Sequence, residues 1–188
     1  MKIIMVIVIW AFALMFVASG CSKSLQDEYN QSVTIMCQNG QGSGTMDGTN
    51  ILTCFHVIQG CETVLVMMSN NRGLLRCQVT YTNELTDVAV LTPLRPITSK
   101  KWKRTKVERN DNVYTISSPL GEPFVYARGY VMRNNSYLMG KSYICVDLPV
   151  AKGSSGAGVF HNGKLVGLVS ATKFIGDVSY VIPIDCVP

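Results

Sequence analysis

The segment "GVFHNGKLVGLVSA", from Gly158 to Ala171, gives the clearest indication of the fold. Apolar residues flank the pair Asn162-Gly163, with Val159 and Phe160 before it and a run rich in valine and leucine after it. An Asn-Gly pair between two such runs is the strongest short-range signal for a β-hairpin with a two-residue turn. The segment therefore predicts two antiparallel strands that meet at Asn162-Gly163.

Short apolar runs of the same kind continue along the chain from Ser32 onward. Valine, isoleucine, threonine and tyrosine predominate in them, and Gly, Asn or Pro separates one run from the next. Such regular short strands are typical of a β-sandwich or β-barrel. Helical periodicity after residue 22 is limited to one possible turn in "FHVIQG". We therefore predict an all-β fold with an N-terminal half over residues 32–98 and a C-terminal half over residues 111–188.

The N-terminus has the pattern of a secretory signal peptide. Met1 and Lys2 precede sixteen apolar residues, Ile3 to Ala18, and small residues follow. A positive start, an apolar run and small residues are the three parts of such a signal. The run is shorter than the roughly 20 residues that span a membrane. We predict a signal peptide over residues 1–20 and an exported protein, with an uncleaved membrane anchor as the alternative.

Cys21 is a candidate lipidation site. The surrounding "VASGCSKS" resembles the lipobox of bacterial lipoproteins, in which lipid is attached to the cysteine, although Ala18 stands where leucine is usual. Lipid at Cys21 would tether the domain to a membrane through buried methylene groups. We expect a periplasmic or cell-surface lipoprotein with residues 21–31 as a polar tether. Ordinary secretion is the alternative.

The charge of the chain is moderately positive, with 17 basic and 12 acidic side chains. Much of the excess lies in "SKKWKRTKVERN", residues 99–110. Such a run can contact phosphate groups, but only Trp102 could stack on a base and no nucleic-acid motif surrounds it. We predict a solvated basic linker between the two halves and no nucleic-acid partner. The alternative is a surface lipoprotein that binds lipid headgroups or nucleic acid through Lys100, Lys101, Lys103, Arg104 and Lys106.

The seven cysteines are a high number for this length. An exported chain meets an oxidising compartment, where disulfides persist. With Cys21 lipidated, six cysteines remain, and their connectivity cannot be read from sequence. Their spacings suit no zinc site. We predict disulfides, with buried free thiols as the alternative, and no metal or organic cofactor.

The segment "KGSSGAGVF", Lys152 to Phe160, raises the question of chemistry, because a serine among glycines is either a simple turn or an exposed nucleophile. A nucleophilic serine needs an adjacent base, and the base needs an orienting group. His161 lies beside the predicted hairpin turn, whereas His56 ends an apolar strand. Asp87 directly precedes an apolar run, where an unpaired carboxylate is costly to bury. The order His56, Asp87, Ser155 is one of the known orders of a Ser-His-Asp triad.

With these residues in place, the chain resembles the trypsin-like serine proteases, especially the bacterial HtrA/Deg-type branch. The resemblance covers residues from about 33 to 186 and implies two six-stranded antiparallel β-barrels of the chymotrypsin type. HtrA relatives usually carry a PDZ module after the protease domain, and none is expected before Pro188. Five segments carry the resemblance in the right order: "GSGT…NILTCFHVI", "TDVAVL", "GSSGAGVF", "GKLVGLVSA" and "YVIPI".

The resemblance implies a serine endopeptidase that acts on polypeptides. Ser155 would attack the peptide carbonyl, His56 would act as general base and then general acid, and Asp87 would orient the imidazole. The N–H groups of Gly153 and Ser155 would form the oxyanion hole. An edge strand would pair with the substrate backbone through Ser170, Ala171 and Thr172.

The chain departs from the family pattern at four positions. Ala157 replaces the second glycine of the serine motif, and Gly158 replaces the usual proline. Cys54 precedes His56, so the disulfide map of vertebrate relatives does not transfer. Pro149 stands near the position of trypsin's acidic specificity residue, so we expect a small or medium apolar residue at the cleavage site rather than Lys or Arg.

An inactive protease fold that serves as a binding module is the second possible function. A hydrogen bond of about 2.6–3.2 Å between Ser155 and His56, somewhat longer without substrate, would favour the enzyme. No activation site of the kind cleaved in protease precursors is evident near Gln31, which favours an enzyme active as made.

Overall fold

Two closed β-barrels form the protein, each with six antiparallel strands. The computed structural model describes residues 25–38, 40–69, 73–138, 140–172 and 178–188. The two barrels confirm the predicted all-β fold class. The signal peptide over residues 1–20 and the lipidation site Cys21 lie outside the described residues. No helix within them is long and apolar enough to cross a membrane.

The first barrel has the strand order β1-β2-β3-β6-β5-β4 and closes by pairing β4 with β1. Side chains alternate between the interior and solvent along β4 and the first half of β5, as expected for a barrel wall. The interior is filled by aliphatic side chains such as Ile35, Ile51 and Leu91, all fully buried. The strands are β1 Ser32–Cys37, β2 Gly40–Asp47, β3 Asn50–Cys54, β4 Thr63–Met68, β5 Leu74–Asn83 and β6 Val88–Pro93.

The second barrel has the order β10-β11-β12-β9-β8-β7 and closes by pairing β7 with β10. The predicted hairpin is its β10–β11 pair, in which His161 opposes Lys164. Asn162 and Gly163 both have positive φ, 49° and 71°, as a type I′ turn requires. The strands are β7 Asn112–Ser117, β8 Val125–Leu138, β9 Lys141–Val146, β10 Gly158–His161, β11 Lys164–Thr172 and β12 Ser179–Pro183.

Within the described residues, helical structure is confined to short segments. Residues 25–31 are helical and are called α1 here, and the four-residue α2, Phe55–Ile58, follows β3. Single 3₁₀ turns occur at Pro119–Gly121 and Ile184–Cys186. The single helical turn predicted in "FHVIQG" corresponds to α2.

The basic segment connects the barrels and exposes its charged residues to solvent, whereas its tryptophan is buried. Trp102 is 3% exposed, packs edge-on against Phe160 with ring centroids 4.8 Å apart, and donates its indole N–H to the Met46 carbonyl at 2.9 Å. Arg104 forms a β-bridge with Leu165. The predicted solvation describes the charged residues, which are all exposed, but the burial of Trp102 was not anticipated because the prediction rested on charge and not on the apolar area of the tryptophan.

The end of the predicted polar tether also packs against the barrels. In α1, Glu28 is fully buried and accepts a hydrogen bond from the Tyr114 hydroxyl at 2.9 Å. Gln31 donates its amide to the carbonyls of Met46 and Lys100, both at 2.9 Å. Residues 25–31 are thus part of the folded domain, because their polar side chains find partners inside it.

A disulfide joins Cys37, at the end of β1, to Cys61, after α2. The predicted presence of disulfides is confirmed for this pair, whereas Cys54 and Cys77 are buried free thiols. The disulfide closes a segment of 24 residues that contains His56. It therefore restrains the region around the candidate base.

Replacing both Cys37 and Cys61 by alanine is expected to lower the free energy of unfolding by about 3 kcal/mol, since cross-linking a loop of this length removes that much chain entropy from the unfolded state. Urea unfolding followed by circular dichroism measures the change. Dithiothreitol should destabilise the wild type similarly and leave the double variant unaffected. An equal response of both proteins to dithiothreitol would contradict a stabilising role of this disulfide.

Candidate active site

Strand pairing brings His56 and Asp87 together although they are 31 residues apart. Cys54, the last residue of β3, pairs with Val88, the first residue of β6. His56 follows two residues after this pair in α2, and Asp87 directly precedes it. A backbone hydrogen bond of 3.1 Å from Phe55 to the Asp87 carbonyl closes the junction. The two side chains are therefore held at one end of the first barrel.

The Asp87 carboxylate fixes the orientation of the His56 ring. Nδ1 of His56 lies 2.8 Å from Oδ2 and 3.0 Å from Oδ1 of Asp87. The backbone N–H of His56 also donates to Oδ1 at 3.0 Å. An ionised carboxylate only accepts hydrogen bonds, so Nδ1 carries a proton, and in the neutral ring Nε2 is the unprotonated nitrogen. The ring is thereby prepared to act as a base through Nε2.

Asp87 stays ionised in this environment. Burial by itself would raise the pKa of its carboxyl group, but the hydrogen bonds and charge of His56 and a hydrogen bond from Ser170 lower the pKa below its ordinary value. The Ser170 hydroxyl donates to Oδ2 at 2.7 Å. The Asp87 side chain is 11% exposed and the His56 side chain 46%. The charge is thus shielded, while the imidazole remains accessible to a substrate.

Ser155 is connected to this pair through Ser170. The Ser155 hydroxyl donates to the Ser170 carbonyl at 2.9 Å, while the hydroxyl of the same Ser170 binds Asp87. No hydrogen bond between Ser155 and His56 is formed among the described residues, so the contact that was expected to favour the enzyme over a binding module is not observed. Sequence reasoning assigned Ser170 to substrate binding and missed its contact with Asp87, for which no local sequence signal exists.

The turn before β10 needs glycine at two positions. Gly153 has φ 99° and Gly156 φ 88°. A Cβ atom would collide with the Ser118 carbonyl at Gly153, and with the Ser43 carbonyl at Gly156. Ala157, by contrast, is not among the residues with positive φ, so alanine fits there without strain. The glycines therefore shape this turn, and the departure at Ala157 is structurally neutral.

The backbone N–H groups of Gly153 and Ser155, in this turn, have no hydrogen-bond acceptor among the described residues and are called open here. The Lys152 carbonyl accepts a hydrogen bond from Leu120 at 2.7 Å, and the Ser154 carbonyl accepts one from Ala157 at 3.1 Å. In a trans peptide the N–H points opposite to the carbonyl, so the N–H groups of Gly153 and Ser155 point away from these partners. Neither N–H donates to any residue in the described part of the chain. Together they can receive a negatively charged oxygen.

The site also contains a thiol. One ligand atom each from Cys54, His56 and Asp87 lies within 4.8 Å of the others, a grouping that could hold a metal ion. Burial, followed by the Asp87 charge, raises the pKa of the Cys54 thiol well above its usual value, and the thiol donates to the Val169 carbonyl at 3.2 Å. Metal binding needs the thiolate, and both Asp87 oxygens already accept hydrogen bonds. A protonated Cys54 thiol and an Asp87 carboxylate that is already hydrogen-bonded fit a hydrogen-bonded His56–Asp87 pair better than a metal centre.

The predicted substrate strand is the end of β11. Its pairing with β10 stops at Leu168, whereas its pairing with β12 continues through Ala171 and Thr172. For Ala171 and Thr172, strand pairing in the described structure therefore occupies one edge only. The other edge lies next to the Ser170 carbonyl that Ser155 contacts. An extended polypeptide could add to it as a further strand.

Comparisons with known proteins agree with this architecture. The Trypsin-like peptidase domain family matches residues 42–168. No curated protein sequence matches the chain significantly. Among solved structures, an inactive mutant form of Rv3671c from M. tuberculosis H37Rv superimposes with a TM-score of 0.76 and 16% identity, covering 87% of this chain and 86% of that one.

Two further structures show the same fold. The active form of the Rv3671c protease gives a TM-score of 0.75 at 17% identity, covering 87% of this chain and 80% of that one. The serine endoprotease from Yersinia pestis gives 0.76 at 20% identity, covering 87% of this chain and 62% of that one. The family match spans more than half of the chain and includes the positions of His56, Asp87 and Ser155. The chain therefore belongs to the trypsin-like peptidase domain family and has the fold of a serine protease.

Proposed function

We propose that the protein is a serine endopeptidase in which Ser155, His56 and Asp87 form the catalytic triad. One observation carries the proposal: Ser170 joins the His56–Asp87 pair to Ser155 through its hydroxyl and its carbonyl. The open N–H groups of Gly153 and Ser155 lie in the same turn and supply the oxyanion hole.

The reaction starts with a movement of the Ser155 hydroxyl. Its hydrogen bond passes from the Ser170 carbonyl to Nε2 of His56, because such contacts tighten when substrate binds. Nε2 takes the proton as the Ser155 oxygen bonds to the peptide carbonyl carbon. The carbonyl oxygen becomes negative and is bound by the N–H groups of Gly153 and Ser155.

Two stages follow: the amine leaves from the tetrahedral intermediate, and water then hydrolyses the ester that remains on Ser155. The peptide C–N bond breaks as His56 gives its proton to the leaving amine, which leaves an ester on Ser155. Water attacks the ester carbonyl carbon while His56 removes a proton from the water. The bond from the carbonyl carbon to the Ser155 oxygen then breaks, His56 gives its proton to that oxygen, and the carboxylic acid product leaves. Asp87 stays ionised throughout and stabilises the positively charged imidazole.

The proposed substrate is a polypeptide that pairs with Ser170, Ala171 and Thr172. We propose small or medium apolar residues at the cleaved bond, and two observations argue against Lys or Arg there. Pro149 carries no charge, and the Asp147 carboxylate accepts a hydrogen bond from the backbone N–H of Tyr130. That carboxylate is therefore engaged by β8.

We also propose that the protease is exported and held at the periplasmic or cell-surface side of a membrane by lipid on Cys21. The apolar segment over residues 1–20 and the small residues before Cys21 support this. The Cys37–Cys61 disulfide agrees with an oxidising compartment. The helix α1 would place the folded domain close to the lipid, because it starts within a few residues of Cys21.

The test is labelling of the mature domain with a fluorophosphonate, which phosphonylates activated serines. We expect one adduct, mapped by mass spectrometry to the peptide that contains Ser155. Heat-denatured protein should give none, since the pair that activates the serine is lost. A folded wild-type protein without an adduct would overturn the enzyme proposal and favour the protease-fold binding module.

A further inference from the structure

Ser43, in β2 of the first barrel, contacts both sides of the turn that carries the open N–H groups. It is fully buried. Its hydroxyl donates to the Gly153 carbonyl at 2.7 Å, and its backbone N–H donates to the Ser155 carbonyl at 2.8 Å. One residue of the first barrel thus holds the carbonyls of both residues whose N–H groups remain open.

The same hydroxyl reaches a second loop. It accepts a hydrogen bond from the Ser118 N–H at 2.9 Å. Two residues later, the Leu120 N–H donates to the Lys152 carbonyl at 2.7 Å. This contact fixes the peptide plane to which the Gly153 N–H belongs. The Ser43 hydroxyl is therefore bonded on one side to the Gly153 carbonyl and on the other to the loop that orients the Gly153 N–H.

The contacts around Gly153 come from neutral groups. Apart from the three contacts of Ser43, the described residues add hydrogen bonds from Ser154 to the Ala151 carbonyl at 2.9 Å and from Leu120 to Lys152. A glycine at φ 99° has wide conformational freedom. Without the Ser43 hydroxyl, the Gly153 carbonyl and the Ser118 N–H lose this partner, and the peptide before Gly153 is held by the Leu120–Lys152 hydrogen bond without the support of the loop behind it. This peptide can then turn its carbonyl, rather than its N–H, toward the site more readily.

We propose that Ser43 is a positioning residue for catalysis, which sets the oxyanion hole through its hydroxyl. This inference rests on the proposed function. It assigns a catalytic task to the serine of the "GSG" segment, far from the triad in sequence. It also explains how the hole can be formed in the protein as made, because the described contacts that hold the turn come from within the folded domain.

The test compares Ser43→Ala with Thr45→Val. Thr45 is a matched control, since it is buried in the same strand and its hydroxyl also crosses to the second barrel, where it accepts a hydrogen bond from Gly158 at 2.7 Å. Phosphonylation builds negative charge on the phosphoryl oxygen in the oxyanion hole. We expect the labelling rate constant to fall about tenfold or more in Ser43→Ala, a part of the loss caused by removing an oxyanion donor, and to stay within about threefold of wild type in Thr45→Val.

Two further readouts separate positioning from general damage. The midpoint of the pH–rate profile of labelling should not move in Ser43→Ala, because the His56–Asp87 pair is intact. The rate of His56 modification by diethyl pyrocarbonate, which needs no oxyanion donor, should be unchanged. Where Ser43→Ala does not fold, Ser43→Cys, which keeps a weaker donor, should label at an intermediate rate.

Labelling of Ser43→Ala at the wild-type rate would overturn the inference, and so would equal losses in Ser43→Ala and Thr45→Val. Labelling of Ser43→Cys at the wild-type rate would likewise overturn the inference. These outcomes differ from failure of the proposed function, in which the wild type itself does not label.

Discussion

Replacing Ser155 by alanine is expected to abolish fluorophosphonate labelling and to lower the hydrolysis of fluorescent casein by about 10⁶-fold, as found when a triad serine is removed. Alanine has no oxygen to attack the probe. The change should leave the fold intact, because the Ser155 hydroxyl makes one hydrogen bond and its backbone contacts to Ser43 remain. In-gel fluorescence and casein hydrolysis measure the two losses, and circular dichroism checks folding.

The neighbouring serine provides the matched control. Ser154 is fully buried and its hydroxyl accepts a hydrogen bond from Ser117 at 3.0 Å. Ser154→Ala should therefore still label. An adduct that persists in Ser155→Ala would place the nucleophile outside Ser155. If the adduct is also lost in Ser154→Ala, the nucleophile would be Ser154.

Both barrels contribute to the proposed site. His56 and Asp87 belong to the first barrel, whereas Ser155 and Ser170 belong to the second. The hydrogen bonds from Ser170 to Asp87 and from Ser43 to Gly153 both cross the interface. Substitutions that loosen the interface should therefore reduce activity before they unfold either barrel.

The sequence predicted those features that depend on local patterns. The hairpin at Asn162-Gly163 follows from turn chemistry, and the two-barrel fold follows from the regular strands together with the family resemblance. The order His56, Asp87, Ser155 likewise predicts a triad, of which the structure shows the His56–Asp87 contact, while the catalytic roles stay a prediction. Side chains near in sequence determine the hairpin, whereas the barrels and the candidate triad were predicted through short motifs that the chain shares with the family.

Features that depend on long-range contacts were not predictable. Trp102 lies in a basic run, and its burial depends on the distant Phe160. Glu28 appeared to be part of a polar tether because its partner Tyr114 is 86 residues away. The pairing of Cys37 with Cys61 was one of many possible pairings. The role of Ser43 depends on hydroxyl and backbone contacts, which leave no mark on hydrophobic patterning.

Replacing Asp87 by asparagine is expected to reduce the labelling rate and casein hydrolysis by about 10⁴-fold at neutral pH. The amide of asparagine can donate to Nδ1 of His56, which moves the imidazole proton to Nε2. The ring then cannot accept the proton of Ser155, and no negative charge stabilises the imidazolium. Asp185→Asn is the control, since Asp185 pairs with Lys106 at an exposed position and should label normally. Labelling of Asp87→Asn at the wild-type rate would contradict the role of Asp87.

The stability of the same variant should depend on pH in a defined direction. The pKa of Asp87 is lowered in the folded state, so its ionised form stabilises the fold above its unfolded pKa of about 3.9. This contribution is lost as the pH falls through the lowered folded pKa. The difference in unfolding free energy between wild type and Asp87→Asn, measured by urea unfolding, should therefore narrow below about pH 4. A difference that stays constant or widens toward acid pH would show that the charge of Asp87 does not stabilise the fold, and would remove the reason to expect an ionised partner for His56.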